Sequence, residues 1–345
     1  MNATLYAADI AKNVFQVHWV DPDTGEIRRR KLSRTKFAEF FAKRQPGRLA
    51  MEACGAAHHW GRTFTALGWQ VELLPAGQVR PFVRGYKDDA ADAHAIWLAA
   101  QQSSIRRVAI KSVDQQAALS LHRIRSHWIT TRTATLNALR GLLYEFGVTL
   151  PKGREAGLKA IAERHPQLDD TLPAPMLRML QAQLQAIKEV QGQIDAMEKE
   201  IGLCQKASPT ARRLRAVPGI GLLGATALTA VLGDGSSWRN AREFACFLGL
   251  APGHTGTGGR VRMGKITKRG DPYLRTLLIS GAHSVLGKCT SSPWVSELLK
   301  RRPKNVVAVA VAHKLARTAW ALVAHGRKYE RQWQSAAPNA ASAAG

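Results

Sequence analysis

A mixed α/β domain followed by a largely helical region is the fold class this sequence predicts. Three observations carry it. Over the first hundred residues, short apolar or alternating stretches give way to alternating helical and strand-like ones. Between positions 112 and 201, apolar residues recur at helical spacing along two long stretches. The remainder combines apolar helices with a segment dense in glycine and cations.

The N-terminal elements follow from pattern and punctuation. Leu5 to Ile10 is a short apolar run, Phe15, Val17 and Trp19 alternate, and Asp21-Pro22-Asp23-Thr24-Gly25 is a turn cluster before Glu26 to Leu32, so three strands form a meander. A helix is expected around Thr35 to Lys43, a strand around Arg48 to Ala53, a helix around Ala57 to Leu67, a short strand at Gln70 to Leu74, and an alanine-rich helix from about Asp89 to Gln101. Three antiparallel strands followed by alternating helices and strands is the order of the ribonuclease H-like fold.

Composition bounds the partners. The chain has 345 residues, 50 Lys and Arg against 25 Asp and Glu, and a formal charge of +25, which makes a polyanion the default partner. From Thr210 onward, 21 Lys and Arg stand against 5 Asp and Glu, so the imbalance grows toward the C-terminus. No basic amphipathic anchor, run of about 20 apolar residues or signal-peptide pattern is read, which argues against a membrane and for a cytoplasmic protein. Cys54, Cys204, Cys246 and Cys289 are scattered singly, which excludes a CxxC zinc knuckle and argues for reduced thiols.

Against this basic background, four acids are placed where a metal-dependent phosphoryl-transfer site needs them. Asp9 ends the first strand, Glu52 ends the fourth, and Asp89 and Asp92 lie three apart on one helical face, with Asp88 a competitor to Asp89. Converging carboxylates repel without cations, and hard Mg²⁺, with Mn²⁺ as the alternative ion, suits oxygen ligands and phosphate. Two such ions about 4 Å apart stabilise the attacking and leaving oxygens of a phosphodiester displacement. Each acid also has a plain structural explanation: a strand-end turn former, a solvated edge residue, or a first turn that complements the helix dipole.

In the middle, Ser112 to Gly147 reads as one helix with Leu119, Ile124, Leu136, Leu139, Leu142 and Leu143 on its apolar side and His122, Arg123, Arg125, His127, Arg132 and Arg140 elsewhere. That basic side is either solvated or tracks a nucleic-acid backbone. After a loop rich in Lys, Gly and Pro, Leu177, Leu180, Leu184, Ile187, Val190, Ile194, Met197 and Ile201 form a coiled-coil seam, with a stammer at Ile187. The seam can pack on the preceding helix or pair between chains, and a dimer contact is slightly preferred.

In the C-terminal part, a helix is expected to stop at Pro218 and restart after Gly219 and Gly221. This matches a helix-hairpin-helix turn whose glycines let backbone amides approach a phosphate, and an ordinary turn between helices explains it as well. Gly249 to Asp271 reads as a phosphate-handling loop, with Arg260, Arg262, Lys265, Lys268 and Arg269 supplying cations and Thr255 and Thr257 supplying hydroxyls that act as a nucleophile or merely make local turns. Helices are expected at Tyr273 to Leu286 and Asn305 to His325.

Taken together, AADIAKNVF around Asp9, MEACGAAHHW around Glu52, KDDAADAHAI around Asp89 and Asp92, then VPGIG, GLAPGHTGTGGR and GKITKRGDPYLRTLL resemble the DEDD transposases of the insertion-sequence family that also contains the Piv and MooV DNA invertases. The resemblance runs from Tyr6 to about His325. It implies a Holliday-junction-resolvase-like catalytic domain over 1–110, a helical coiled-coil linker over 111–207, a C-terminal transposase domain over 208–332 and a disordered tail over 333–345. It implies Mg²⁺-dependent strand cleavage and exchange through a covalent protein–DNA intermediate, donor and target duplex DNA, a structured bridge RNA, and a homodimer or homotetramer. Asp9, Glu52, Asp89 and Asp92 carry over as metal ligands; Arg275, in the last motif, joins the nucleic-acid-binding set. The family's usual serine before a glycine is here Thr257-Gly258, so Thr257 is the expected nucleophile and Thr255 the second candidate. The competing reading is a Holliday-junction or structure-specific endonuclease that uses water instead; a third, a non-catalytic binding protein, makes the four acids coincidental.

Overall fold

A computed structural model of the chain describes residues 4–83, 89–163, 168, 170–257, 259–288 and 293–330, without the side chains of 89, 90 and 288. Asp88, Cys289 and the C-terminal tail expected to be disordered lie outside that description. The chain divides into two compact units, Met1–Asp114 and Gln115–Gly345.

The first unit is a five-stranded mixed sheet in the order β3-β2-β1-β4-β5. β1 (Leu5–Ile10), β2 (Val14–Val20) and β3 (Ile27–Ser33) are antiparallel neighbours, whereas β4 (Arg48–Glu52) and β5 (Gln70–Leu74) run parallel to β1. The Asp21 carboxylate accepts from the Asp23 and Thr24 amides to close the turn into β3, with Gly25 at φ +72°. Helices α1 (Arg34–Ala42) and α2 (Ala57–Ala66) cover one face, where Ala8, Met51 and Leu73 meet Phe37, Trp60 and Phe64. After a single turn, α3 (Ala76–Val79), helix α4 (Asp89–Ala100) covers the other face, where Ala7, Ala50 and Leu74 meet Ala95, Ile96 and Ala99. The period-2 alternation of β1 and β4 therefore assigns each residue to a helix layer.

The second unit is built on two long helices, α5 (Val113–Glu145) and, after α6 (Arg154–Glu163), α7 (Ala174–Ala207). Arg125 donates to Glu198 at 2.8 and 2.6 Å and Arg132 to Gln191, so the two long helices run antiparallel. Leu180, Ile187, Ile194 and Ile201 are buried at strict seven-residue spacing, straight through the position of the expected stammer. Leu180 and Ile187 pack with Leu136, Leu139 and Leu143 of α5, so this part of the seam is satisfied within one chain. The segment expected to be a loop carries α6, whose Ile161 fills the same cluster. Burial also corrects the reading of α5: Ile124 and Leu142 are exposed, while His122 is buried.

His122 is held at both ring nitrogens, Nδ1 by the Tyr273 hydroxyl at 2.8 Å and Nε2 by the Thr226 hydroxyl at 2.9 Å. Because the Thr226 hydroxyl donates to the Leu222 carbonyl at 2.9 Å, it accepts from Nε2–H, and Nδ1 accepts from Tyr273. Burial, with Arg125 adding, lowers the His122 pKa to about 4. The native state thus binds fewer protons than the unfolded chain between pH 4 and 6.5, and the stabilisation present at neutral pH is lost as pH falls through that window. The loss attributable to His122 alone is about 3 kcal/mol. Urea titrations at pH 7 and pH 4.5 should show His122→Gln losing less stability on acidification than wild type; an equal loss would contradict the assignment.

The C-terminal core gathers α8 (Pro209–Arg215), α9 (Leu222–Leu232), α10 (Ala241–Phe247), α11 (Pro272–Lys288), α12 (Pro293–Arg301) and α13 (Lys304–Ala324). The Ser208 hydroxyl caps α8; on α10 the Asn240 side-chain oxygen accepts from the Glu243 amide, and the Glu243 carboxylate accepts from the Arg239 amide. By length and a mean hydropathy of 1.5, α13 does qualify as a membrane-span candidate, contrary to the expectation from sequence. Its apolar face, including Val307, Val311, Leu315 and Trp320, is nonetheless spent on this core.

Candidate active site

The register of β1 on β4 pairs Ala7 with Ala50 and Ala8 with Met51. Continued by one residue, it sets Asp9 beside Glu52, both on the face that Ala7 and Ala50 turn toward α4. On α4, Asp92 precedes Ile96 and Ala99 by four and seven residues, which puts it on the stripe that faces the sheet. Docking of that helix is reinforced where His18 of β2, 1% exposed, meets His94 and Trp97 at ring separations of 4.8 and 5.6 Å. Asp89 begins the helix three residues earlier; its side chain and Asp88 lie outside the described residues.

Electrostatics ties these acids together. The Glu52 carboxyl is raised above the ordinary carboxylate range by burial and then by the Asp92 charge. Burial raises the neighbouring Cys54 thiol as well, with the Glu52 and Asp9 charges adding to it against hydrogen bonds from the Ala56 and Cys54 amides. Glu72, on the same sheet face, is a useful contrast, since Arg48 at 2.8 Å and Arg107 at 2.6 Å neutralise it. Glu52 faces a like charge instead. Among the described residues, no group of three or more His, Cys, Asp or Glu is placed to hold a metal ion. Oxygen-only donors that repel one another nevertheless fit a hard divalent cation, which ordinarily takes one or two carboxylates and completes its shell with water and phosphate oxygens. Of the other thiols, Cys204 is half-buried and Cys246 exposed; Cys289 lies outside the description.

The expected Gly-rich loop is instead a β-ribbon, β6 (Pro252–Thr257) paired with β7 (Arg260–Ile266). Thr257 lies opposite Arg260 and Thr255 opposite Arg262, so both threonines and both arginines share one face and all four are exposed. The missed signal was the alternation of Thr255, Thr257, Arg260 and Arg262 on either side of a Gly-Gly dipeptide, a sequence pattern that favours a short hairpin. Lys265, Lys268 and Arg269 are also exposed, and Lys268 is a non-glycine in the left-handed region, at φ 54°.

Two of the expected contact residues also make internal contacts. Arg275 donates from Nη1 to the carbonyls of Leu248 at 2.9 Å and Arg269 at 3.1 Å, clasping the base of the ribbon. Gly219, at φ +92°, lies against α11: a Cβ there would sit 2.8 Å from Val285 Cγ2 and 3.1 Å from the Gly281 carbonyl. Its glycine is demanded by packing. Gly221 differs, since a Cβ would meet nothing within 4 Å. It lines an open groove of about 630 Å³ together with Arg215, Pro218 and Ser284.

Comparison with known proteins agrees with this organisation. A transposase model for DEDD proteins of the IS110 type matches residues 7–147, and a model described as "Transposase IS116/IS110/IS902 family" matches residues 211–300. A probable family 20 transposase of Pseudomonas aeruginosa is 43% identical over 95% of this chain and 99% of its own length. The transposase for insertion sequence element IS1328 of Yersinia enterocolitica is 35% identical over 96% and 99%. A pilin gene-inverting protein of Moraxella lacunata is 29% identical over 34% of this chain and 38% of its own. With both models matched in order and end-to-end relatives at these identities, the chain belongs to the IS116/IS110/IS902 transposase family and is a DNA transposase of the insertion-sequence type.

Proposed function

We propose that this transposase cuts and exchanges DNA strands through a covalent Thr257–DNA intermediate. The observation that carries the reading is the placement of Asp9 and Glu52 at neighbouring strand ends on the α4 side of the sheet, with the Glu52 carboxyl raised by burial and then by the Asp92 charge. The strand order 3-2-1-4-5 supports a ribonuclease H-like assignment for this unit. Asp9, Glu52, Asp92 and Asp89 would hold Mg²⁺, with Mn²⁺ as the alternative. When bound, the ion supplies stabilisation of charge developing on the phosphate oxygens.

The Thr257 hydroxyl then attacks a phosphodiester: its oxygen–phosphorus bond forms and the bond from phosphorus to a deoxyribose oxygen breaks. The hydroxyl proton passes to a carboxylate or solvent, and the departing oxygen takes up a proton. Arg260 and Arg262, across the ribbon from Thr257 and Thr255, orient the phosphate by charge-assisted hydrogen bonds. Lys265, Lys268 and Arg269 add sequence-independent grip on duplex DNA or on a bridge RNA that supplies the target choice, and Gly221 offers its open groove to a phosphate. The carboxylates and the ribbon belong to different units, so the reaction requires them to meet, which we assign to a homodimer or homotetramer.

The test combines protein, Mg²⁺, the element's noncoding RNA and labelled junction DNA, read by denaturing gel and mass spectrometry. An adduct is expected, reduced at least about a thousandfold in Thr257→Ala and Asp9→Ala and little changed in Thr255→Ala. Cleavage with no adduct, surviving both threonine changes but not Asp9→Ala, would make the protein a metal-dependent nuclease.

A further inference from the structure

The face of the ribbon opposite Thr257 has no role in that chemistry. Cross-strand pairing puts His254 beside Met263 and Gly256 beside Val261 on it, and Val261 and Met263 are each 64% exposed. The ribbon is not a loose loop. The Thr267 amide donates to the Ala251 carbonyl at 3.0 Å and the Lys268 amide to the Gly249 carbonyl at 3.1 Å, while Arg275 clasps Leu248 and Arg269. A Cβ on Gly270, at φ +77°, would fall 1.8 Å from the Phe247 carbonyl, so the two chain segments touch at the base. A projecting arm held this way presents two different faces, one of hydroxyls and guanidinium groups and one carrying Val261 and Met263, with His254 beside Met263 and Lys265 further along the strand.

Its occupant follows from charge and size. Between Pro252 and Gly270 lie Arg260, Arg262, Lys265, Lys268 and Arg269 and no acidic residue, so the arm suits a polyanion. A β-layer with its side chains is about 10 Å thick face to face. The major groove of duplex DNA is about 12 Å wide and admits a two-stranded ribbon. An arm standing upright there puts Thr255, Thr257, Arg260 and Arg262 on one phosphate wall and turns the other face toward the opposite strand. The apolar groups in reach on that side are thymine C5-methyls and deoxyribose carbons.

We propose that Val261 and Met263 are specificity-determining residues that contact thymine methyl groups on the strand opposite the one attacked. This rests on the reading of the Thr/Arg face as the one that meets the scissile phosphate. It adds a protein-borne base preference, carried by van der Waals contact, to whatever target choice an RNA makes.

The experiment replaces thymine with uracil, one position at a time, in a junction duplex, which removes only the C5-methyl. Full-length protein and the Val261→Ser/Met263→Ser variant are compared for affinity across a salt series. Wild type is expected to lose about threefold to fivefold in affinity at one or two uracil positions opposite the attacked strand. The variant, weakened by a similar factor on thymine DNA, is expected to ignore the substitution and keep the wild-type salt slope, because no phosphate contact has been removed. Both substitutions are on exposed side chains, so an unchanged melting temperature is expected and is measured alongside.

Uracil insensitivity in wild type, or a variant that remains equally sensitive, overturns the proposal. A fall in particle mass of the variant by light scattering also overturns it and assigns the face to self-association. Adduct formation, scored in the same samples at saturating DNA, separates the two claims: an adduct in the absence of methyl discrimination leaves the Thr257 reading standing.

Discussion

Glu52→Gln is expected to lower strand cleavage at least about a thousandfold and, in chelator, to raise the melting temperature at pH 8. The first effect follows from removing one carboxylate of a cluster that positions several kcal/mol of transition-state charge stabilisation. The second follows from the raised Glu52 pKa, whose largest cause is burial and whose second is Asp92. A carboxyl whose folded pKa lies above its unfolded value contributes stability below the unfolded pKa and loses it as pH rises through the folded one. At pH 8 wild type has lost that contribution, and a glutamine, which does not ionise, restores part of it. At pH 4 the two proteins should melt alike. Saturating Mg²⁺ should narrow or invert the pH 8 difference, because wild type gains more from binding the ion. Thermal melts in a pH series with and without chelator provide the check. A variant less stable than wild type at pH 8 in chelator would remove the like-charge cluster from the account.

The second large effect concerns stability. Gly281 lies within α11, where alanine ordinarily gains about 1 kcal/mol over glycine. A Cβ there, however, would lie 1.8 Å from the Gly219 carbonyl, and backbone does not swing aside as a flexible side chain does. Gly281→Ala is therefore expected to be net destabilising by roughly 1–3 kcal/mol. That corresponds to a fall in melting temperature of several degrees, at about 2–4 °C per kcal/mol for a unit of this size. Gly221→Ser is the control: its φ of −79° suits any residue, its Cβ meets nothing, and serine is a good N-cap for α9. That variant should fold at least as stably as wild type. Equal melting of Gly281→Ala and wild type would show that α11 and the Gly219 turn do not touch.

Much of the first unit was legible from local pattern. Turn residues at Asp21 to Gly25, alternation in β2 and the short apolar run of β1 specify the meander, and the acids at the ends of β1 and β4 follow from strand length alone. The short helices α6, α10 and α12 escaped notice because each is under three helical turns long, too short for a helical period to stand out. The α5 stripe was misjudged for a related reason. His122 reads as polar by residue type, yet Thr226 and Tyr273, remote in sequence, satisfy both its nitrogens and permit it to be buried. The ribbon was hidden by composition, since five glycines from Gly253 to Gly264 look like a loop until the cross-strand pairs are seen.

What the sequence determined by itself is the local order of strands and helices, the excess of cations that selects a polyanionic partner, and the acidic residues at strand ends and on one helical face. These are properties of neighbours along the chain, governed by periodicity, turn chemistry and charge. Only the tertiary structure decided that Arg275 clasps the ribbon, that Gly219 packs closely against α11, that Glu52 faces Asp92 while Glu72 is paired with arginines, and that one ribbon carries two unlike faces. Each of those depends on which remote segment arrives within a few ångströms, and burial, like-charge repulsion and hydrogen-bond satisfaction are set by that arrival.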